Sequence, residues 1–157
     1  ELLQEKIFQP LQMQHSTTNR DLVKDQLVLG LNASGKPTSN WDMAVLAPAG
    51  GILSTVEDLN KFALANLDSS NQALALQRLS TFVLNKSMSV GLGWHIINSK
   101  KGNQFYWHNG GTGGYTSFIA IDAQRGRVVI ILTNVAAFHP NMSNIDSLGV
   151  ELLEKDN

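Results

Sequence analysis

The run Trp107-His108-Asn109-Gly110-Gly111-Thr112-Gly113-Gly114-Tyr115 concentrates the residue types of this chain that could do chemistry. One imidazole, His108, ends an aromatic segment and is followed by Gly110, Gly111, Gly113 and Gly114. An imidazole can give or take a proton near neutral pH. Glycines let a backbone approach a ligand closely and adopt dihedrals that other residues avoid. A polar tip beside an accessible backbone N–H can hold a carbonyl oxygen as negative charge develops on it. The same nine residues also suit a glycine-rich hairpin turn with an incidental histidine, so the flanking elements must decide.

Before the motif, Val90-Gly91-Leu92-Gly93-Trp94-His95-Ile96-Ile97 alternates large apolar with small or polar residues, which predicts a half-buried strand. After it, Thr116 to Asp122 predicts a second strand and Ala123-Gln124-Arg125-Gly126 a short turn. Val128-Val129-Ile130-Ile131-Leu132 is an unbroken apolar run of the kind buried on both faces. The motif therefore belongs on an antiparallel meander, at a strand edge facing whatever packs beside it.

Three blocks resemble the serine β-lactamase and penicillin-binding protein superfamily, in its class C and esterase-like branch. Glu1 to Met13 is similar to the helix and F-x-P-L-x-M turn found midway through such proteins. Ala47 to Leu59 is similar to their P-A-G-G-L-x-S-T-x-x-D-L element. Gly91-Leu92-Gly93-Trp94, His108-Asn109-Gly110-Gly111 and Leu132-Thr133-Asn134 follow in the family's order. The resemblance implies an α/β (α+β) fold of the β-lactamase/transpeptidase type, with antiparallel strands flanked by helices. It also implies acyl transfer through an acyl-enzyme, on a small β-lactam, ester or D-amino-acid peptide, in a periplasmic or secreted protein.

By that resemblance His108-Asn109-Gly110 stands where the family's β-lactamases carry Lys-Thr-Gly, on the wall of the active site beside the serine. His108 and the backbone N–H of Gly111, one half of the oxyanion hole, are then the catalytic candidates. Asn109, Gly110 and Thr112 are the substrate-binding candidates. A largely neutral imidazole is a weaker anchor for a β-lactam carboxylate than an ammonium. Asn109 replaces the threonine hydroxyl with an amide, and Gly110 allows close approach of the strand. Family members with His-x-Gly often look like esterases or D-amino-acid peptidases.

Two family motifs are missing. The nucleophile of the family lies in Ser-x-x-Lys, whose lysine activates the serine hydroxyl. The residues three positions before the lysines here are Leu3, Asp21, Ala33, Asp58, Val83, Ile97, Asn98 and Leu152, none of them serine. Tyr-x-Asn also fails, since His108 follows Tyr106 and Ser117 follows Tyr115 at that spacing. Ser69-Ser70-Asn71 fits a Ser-x-Asn variant but falls out of order in a polar turn. With Glu1 lying inside an apparent helix, the reading is that residues 1–157 are the C-terminal portion of one β-lactamase-like domain. The partner would be a missing N-terminal half, and the chain alone would be inactive. A free-standing non-catalytic module, binding through the His108 groove, is the alternative.

Composition fits a globular domain with a real core: hydrophobic residues make up 43% and the net charge is −1. No basic block suggests nucleic acid and no run is long enough to span a bilayer. The chain has no cysteine, and His15, His95, His108 and His139 lack ligand spacing, so neither metal nor cofactor is expected. Residues 1–89 read as helices and loops, 90–134 as antiparallel strands and 143–155 as a terminal helix with Ile145, Leu148 and Leu152 on its apolar face. Within the first part, a helix to about residue 15 is ended by Pro10, and residues 16–46 are mostly loop. Gly50 and Gly51 make a turn, and Ser54 with Glu57 forms a capping box. Val56, Leu59, Phe62, Ala63 and Leu67 line the helix that follows, and Leu74 to Leu84 is a second amphipathic stretch. His95 reads as a surface or partly satisfied residue, and Trp94, Tyr106 and Trp107 as packing residues. An open strand edge or uncovered apolar face would favour a homo-oligomer.

Overall fold

In a computed structural model, which describes residues 1–99 and 102–155, the second half of the chain folds as a six-stranded antiparallel sheet. The strands are β1 (Phe82–Val83), β2 (Met88–Val90), β3 (His95–Asn98), β4 (Gln104–Gly111), β5 (Thr116–Asp122) and β6 (Arg127–Thr133), and each pairs with its neighbour in sequence. Such a meander needs only short reversals, and three of them use glycine in the left-handed region: Gly93 at φ 83°, Gly102 at φ 84° and Gly126 at φ 64°. The expected single strand from Val90 to Ile97 is therefore two. Gly91 N–H donates to Trp94 C=O at 2.8 Å, and this turn separates β2 from β3. The sheet also starts earlier than Val90. The stretch from Leu74 to Leu84 divides between α3 (Gln72–Gln77), capped by the Asn71 side chain, and β1, drawn into the sheet by Thr81 N–H on Val90 C=O.

Alternation along the central strands fills two separate cores. Phe105, Phe118 and Ala120 are buried against Leu153 of α4 (Ser143–Glu154), with Trp107, Val129, Ile131, Ile145 and Val150 packed around them. On the opposite face Ile121 and Trp94 bury with Ala63 of α2 (Val56–Leu67), surrounded by Phe62, Leu67, Tyr106, Ile119, Val128 and Ile130. The sheet is thus a layer between α2 and α4. Complete burial of one Phe or Ile side chain contributes about 1.5–3 kcal/mol, so β5 supplies much of both cores. β6 does pack on both faces, but as the last strand it remains only half-buried.

The buried stripe of α4 is not the expected one. Leu148 and Leu152 are both 45% exposed, while Gly149 and Leu153 are buried and Ile145 and Val150 pack on the sheet. Gly149 explains the rotation: a Cβ there would lie 2.2 Å from the Phe118 ring, so the helix seats closely on the residue without a side chain. Its far end is tied to the β5–β6 turn. Asp122, fully buried, accepts from Arg125 N–H and Nε, and Arg125 Nη2 reaches Leu153 C=O at 2.8 Å.

The first half of the chain is less regular. A short π-helix (Gln4–Phe8) ends ahead of Pro10, sooner than the sequence pattern suggests, and the turn that follows buries Met13. Residues 16–46 are mostly loop, as expected, and a single turn of helix, α1 (Ala47–Gly50), precedes α2. The α2 cap is shifted by one residue from the expected box. Thr55, not Ser54, caps the helix by accepting from Asp58 N–H. Ser54 Oγ instead meets Ser16 Oγ at 2.8 Å. Asp58 is buried because its carboxylate gathers His15 N–H (2.7 Å), Ser16 Oγ (2.9 Å) and Lys61 Nζ (2.8 Å). Burial would raise its pKa, but those hydrogen bonds and the Lys61 charge outweigh burial and hold it below the usual carboxylate range.

Candidate functional site at the end of β4

β4 outruns β3. Its pairing with β3 stops at His95↔Trp107, whereas its pairing with β5 continues through His108↔Ile119 and Gly110↔Ser117 to Gly111↔Thr116. In an antiparallel ladder, successive residues point their N–H and C=O groups alternately to the two sides. Thr112 N–H donates toward β5, to Tyr115 C=O at 2.9 Å. The backbone groups of Gly111 and Asn109 therefore face the other way, off the edge that β3 leaves open. The site is built by a difference in strand length.

His108 is exposed at this edge, and its Nδ1 lies 2.6 Å from Asn109 C=O. A carbonyl only accepts, so Nδ1 is the donor in this contact, and in the neutral ring Nε2 keeps the lone pair. Gly111 N–H bonds nothing outside the sheet among the described residues. An accessible N–H and an imidazole on one open edge can together meet an oxygen that gains charge and a group that needs a proton.

The remaining candidates divide by face. Gly110 shares the His108 face, and a Cβ on it would sit 2.7 Å from Ser117 Oγ, so the missing side chain leaves that hydroxyl uncovered. Asn109 projects to the opposite face, where Nδ2 donates to Asp146 Oδ2 of α4 at 2.8 Å. Its amide ties the site strand to the terminal helix. Thr112 shapes the hairpin by accepting from Tyr115 N–H on Oγ1 at 3.2 Å. Gly111 has its own close neighbour, since a Cβ would come within 2.4 Å of Ala137 Cβ.

Residues that the sequence pattern does not single out complete the surroundings. Trp41 packs on the hairpin so closely that a Cβ on Gly113 would be 2.4 Å from its Nε1, and Gly114 abuts Gly30. Tyr115 Oη donates to Val28 C=O at 2.6 Å, fixing the long 28–46 loop beside the site. A cavity of about 170 Å³ opens there between Arg20, Trp41, Met43, Gly51, Thr112 and Tyr115. No periodicity marks a loop contact of this kind.

His95 lies between surface and core. It is half-buried, its ring 5.0 Å from Trp107 and 5.6 Å from His108, and its Nδ1 is buried without a partner among the described residues. Trp94, Tyr106 and Trp107 are packing residues, as expected: Trp94 stacks on Phe62, and Arg78 lies over the Tyr106 ring. No group of three or more His, Asp or Glu converges among the described residues, and no described helix is long and apolar enough to cross a membrane.

The fold has clear relatives. It is similar to the octameric penicillin-binding protein homologue from Pyrococcus abyssi (TM-score 0.76, 23% identity), covering 96% of this chain and 36% of that one. It is also similar to a beta-lactamase/D-alanine carboxypeptidase from Pseudomonas syringae (TM-score 0.82, 20% identity), covering 100% of this chain and 53% of that one. The chain thus spans about a third and about half of these two structures. No curated protein sequence matches it. The model of the beta-lactamase family matches residues 1–152, and with the meander, the flanking helices and the glycine-rich end of β4 in place, this chain belongs to the beta-lactamase family.

Proposed function

We propose that this chain forms one wall of a serine-hydrolase acyl-transfer site. His108 is the proton-handling group, and Gly111 N–H is one donor of the oxyanion hole. The observation that carries the reading is the open edge of β4, where the outward N–H of Gly111 and the exposed imidazole of His108 lie together without a covering strand. A β-lactam, an ester or a D-amino-acid peptide would lie along that edge, with Gly110 giving it access beside Ser117 Oγ. Asn109 and Thr112 support the site by fixing β4 to α4 and closing the hairpin. The sequence contains no Ser-x-x-Lys, so the nucleophile and its base come from a segment outside these 157 residues. The chain alone therefore forms no acyl-enzyme. A secreted or periplasmic location, and assembly into oligomers as in the octameric homologue from Pyrococcus abyssi, belong to the same reading.

Intact-mass measurement after incubation with a fluorescent penicillin or a fluorophosphonate tests it on the chain as it stands. No stoichiometric adduct is expected, and a covalent adduct on any serine here overturns the reading. When this chain is joined to a segment supplying Ser-x-x-Lys, His108→Ala lowers acylation by small esters or D-peptides about 10²–10⁴-fold. His108→Lys improves binding of carboxylate-bearing β-lactams relative to esters. Unchanged turnover per folded molecule in both variants would remove His108 from the site.

A further inference from the structure

A column of rings runs from the α4 core to the open edge of β4. Phe118, 1% exposed and wedged against Gly149, stacks on Trp107 at 5.7 Å. Trp107 meets His95 at 5.0 Å, and His95 stacks on His108 at 5.6 Å with 22° between the ring planes. His95 is the first residue of β3 and pairs with Trp107, so it stands where the β3 ladder stops and the open edge begins. The Asn109 carbonyl, facing the same edge, accepts a hydrogen bond from Nδ1–H of His108. The His108 ring is thus held at two places: one ring nitrogen by a carbonyl and one face by a neighbouring ring. Without the second contact, χ1 and χ2 of an exposed histidine are free to leave the carbonyl.

We infer that His95 is the positioning residue of the site, its ring pinning His108 so that Nδ1 stays on the Asn109 carbonyl and Nε2 faces the substrate. The inference rests on the reading of His108 as the proton-handling group. What His95 contributes is packing, since its own Nδ1 is buried with no partner among the described residues. A phenyl ring of similar size and planarity should therefore substitute for it.

Long-range proton–nitrogen NMR of the histidine side chains, on this chain in alkaline solution where free imidazoles are neutral, reads the tautomer directly. A hydrogen bond of ordinary net strength holds about a tenfold preference for one tautomer. In the parent, His108 shows a protonated Nδ1 and an unprotonated Nε2. His95→Phe keeps that pattern, whereas His95→Ala collapses the preference and moves the two nitrogen shifts toward each other. The backbone amide spectrum verifies that each variant is folded. A fixed Nδ1-protonated His108 in His95→Ala overturns the inference, as does a His95→Phe variant that behaves like the alanine. A covalent adduct on the chain alone, or a His108→Ala variant of unchanged turnover, would instead defeat the functional reading while leaving these nitrogen signals as they are.

Discussion

At the scale of single residues, Asp58 has consequences apart from the site. Its carboxylate joins the N-terminal segment to α2 through His15 N–H and Ser16 Oγ. Replacement by alanine strands these two donors, at about 1–3 kcal/mol for each that stays buried and unpaired. Lys61, 39% exposed on its side chain, keeps its solvation and adds little. A lower urea midpoint for Asp58→Ala at neutral pH, with an unchanged slope, checks this. The pH dependence has a definite sign. The folded pKa lies below 3.8, so the carboxylate's contribution is fully present above the unfolded value of about 3.9 and is lost as pH falls through the lower folded value. Asp58→Asn should flatten that acid limb of the stability curve. An acid limb identical to the parent's would show that Asp58 does not set it.

Among the elements, the contact of α4 with the sheet is the most constrained. Gly149→Ala puts a methyl group 2.2 Å from Phe118 Cε1, in a core where neither the helix nor the ring can give way freely. Overpacking of this kind costs about 1–3 kcal/mol, although alanine is the better helix former. Ser147→Ala, on the exposed side of the same helix, is the control and should lie within about 0.5 kcal/mol of the parent. Thermal unfolding of the two variants separates packing from helix propensity. Because Phe118 stacks on Trp107, Gly149→Ala should also change the tryptophan near-ultraviolet circular dichroism, while Ser147→Ala leaves it unchanged.

For the molecule as a whole, the sheet has two unequal ends. β6 is flanked on both faces by helices, but β1 carries Phe82 and Val83 at 63% and 67% exposure on an outer edge with no strand beyond it among the described residues. Leu79 and Leu84 beside them are also exposed. An apolar edge strand without charge or proline tends to pair with another chain, and pairing between two like edges closes on itself. The expected outcome is self-association that grows with concentration in multi-angle light scattering. Val83→Lys places a charge on that edge and should return the chain to a monomer. A parent that stays monomeric over a wide concentration range counts against this reading.

The sequence by itself determined what is local. Two-residue alternation predicts the strands around the motif, and the run from Val128 to Leu132 predicts a strand packed on both faces. Pro10 bounds the first helix, and the motif blocks indicate the family. Local pattern was insufficient where two solutions differ only in long-range contacts. Gly91 and Gly93 fit a strand interior as well as a turn, and only the bond from Gly91 to Trp94 made them a turn. The helical spacing of Leu148 and Leu152 is as regular as that of Ile145, Gly149 and Leu153, but only the second stripe lets the helix seat on Phe118. Thr55 and Ser54 are equally good caps by type, and the choice was made by Ser16, 38 residues earlier in the chain. The candidate site follows the same division. His108 and the glycines are legible because chemistry needs those residue types close together in sequence. Tertiary structure alone decided the open edge, the turn of Asn109 toward α4 and the ring of His95 against His108, because each depends on where neighbouring elements end and not on what the motif contains.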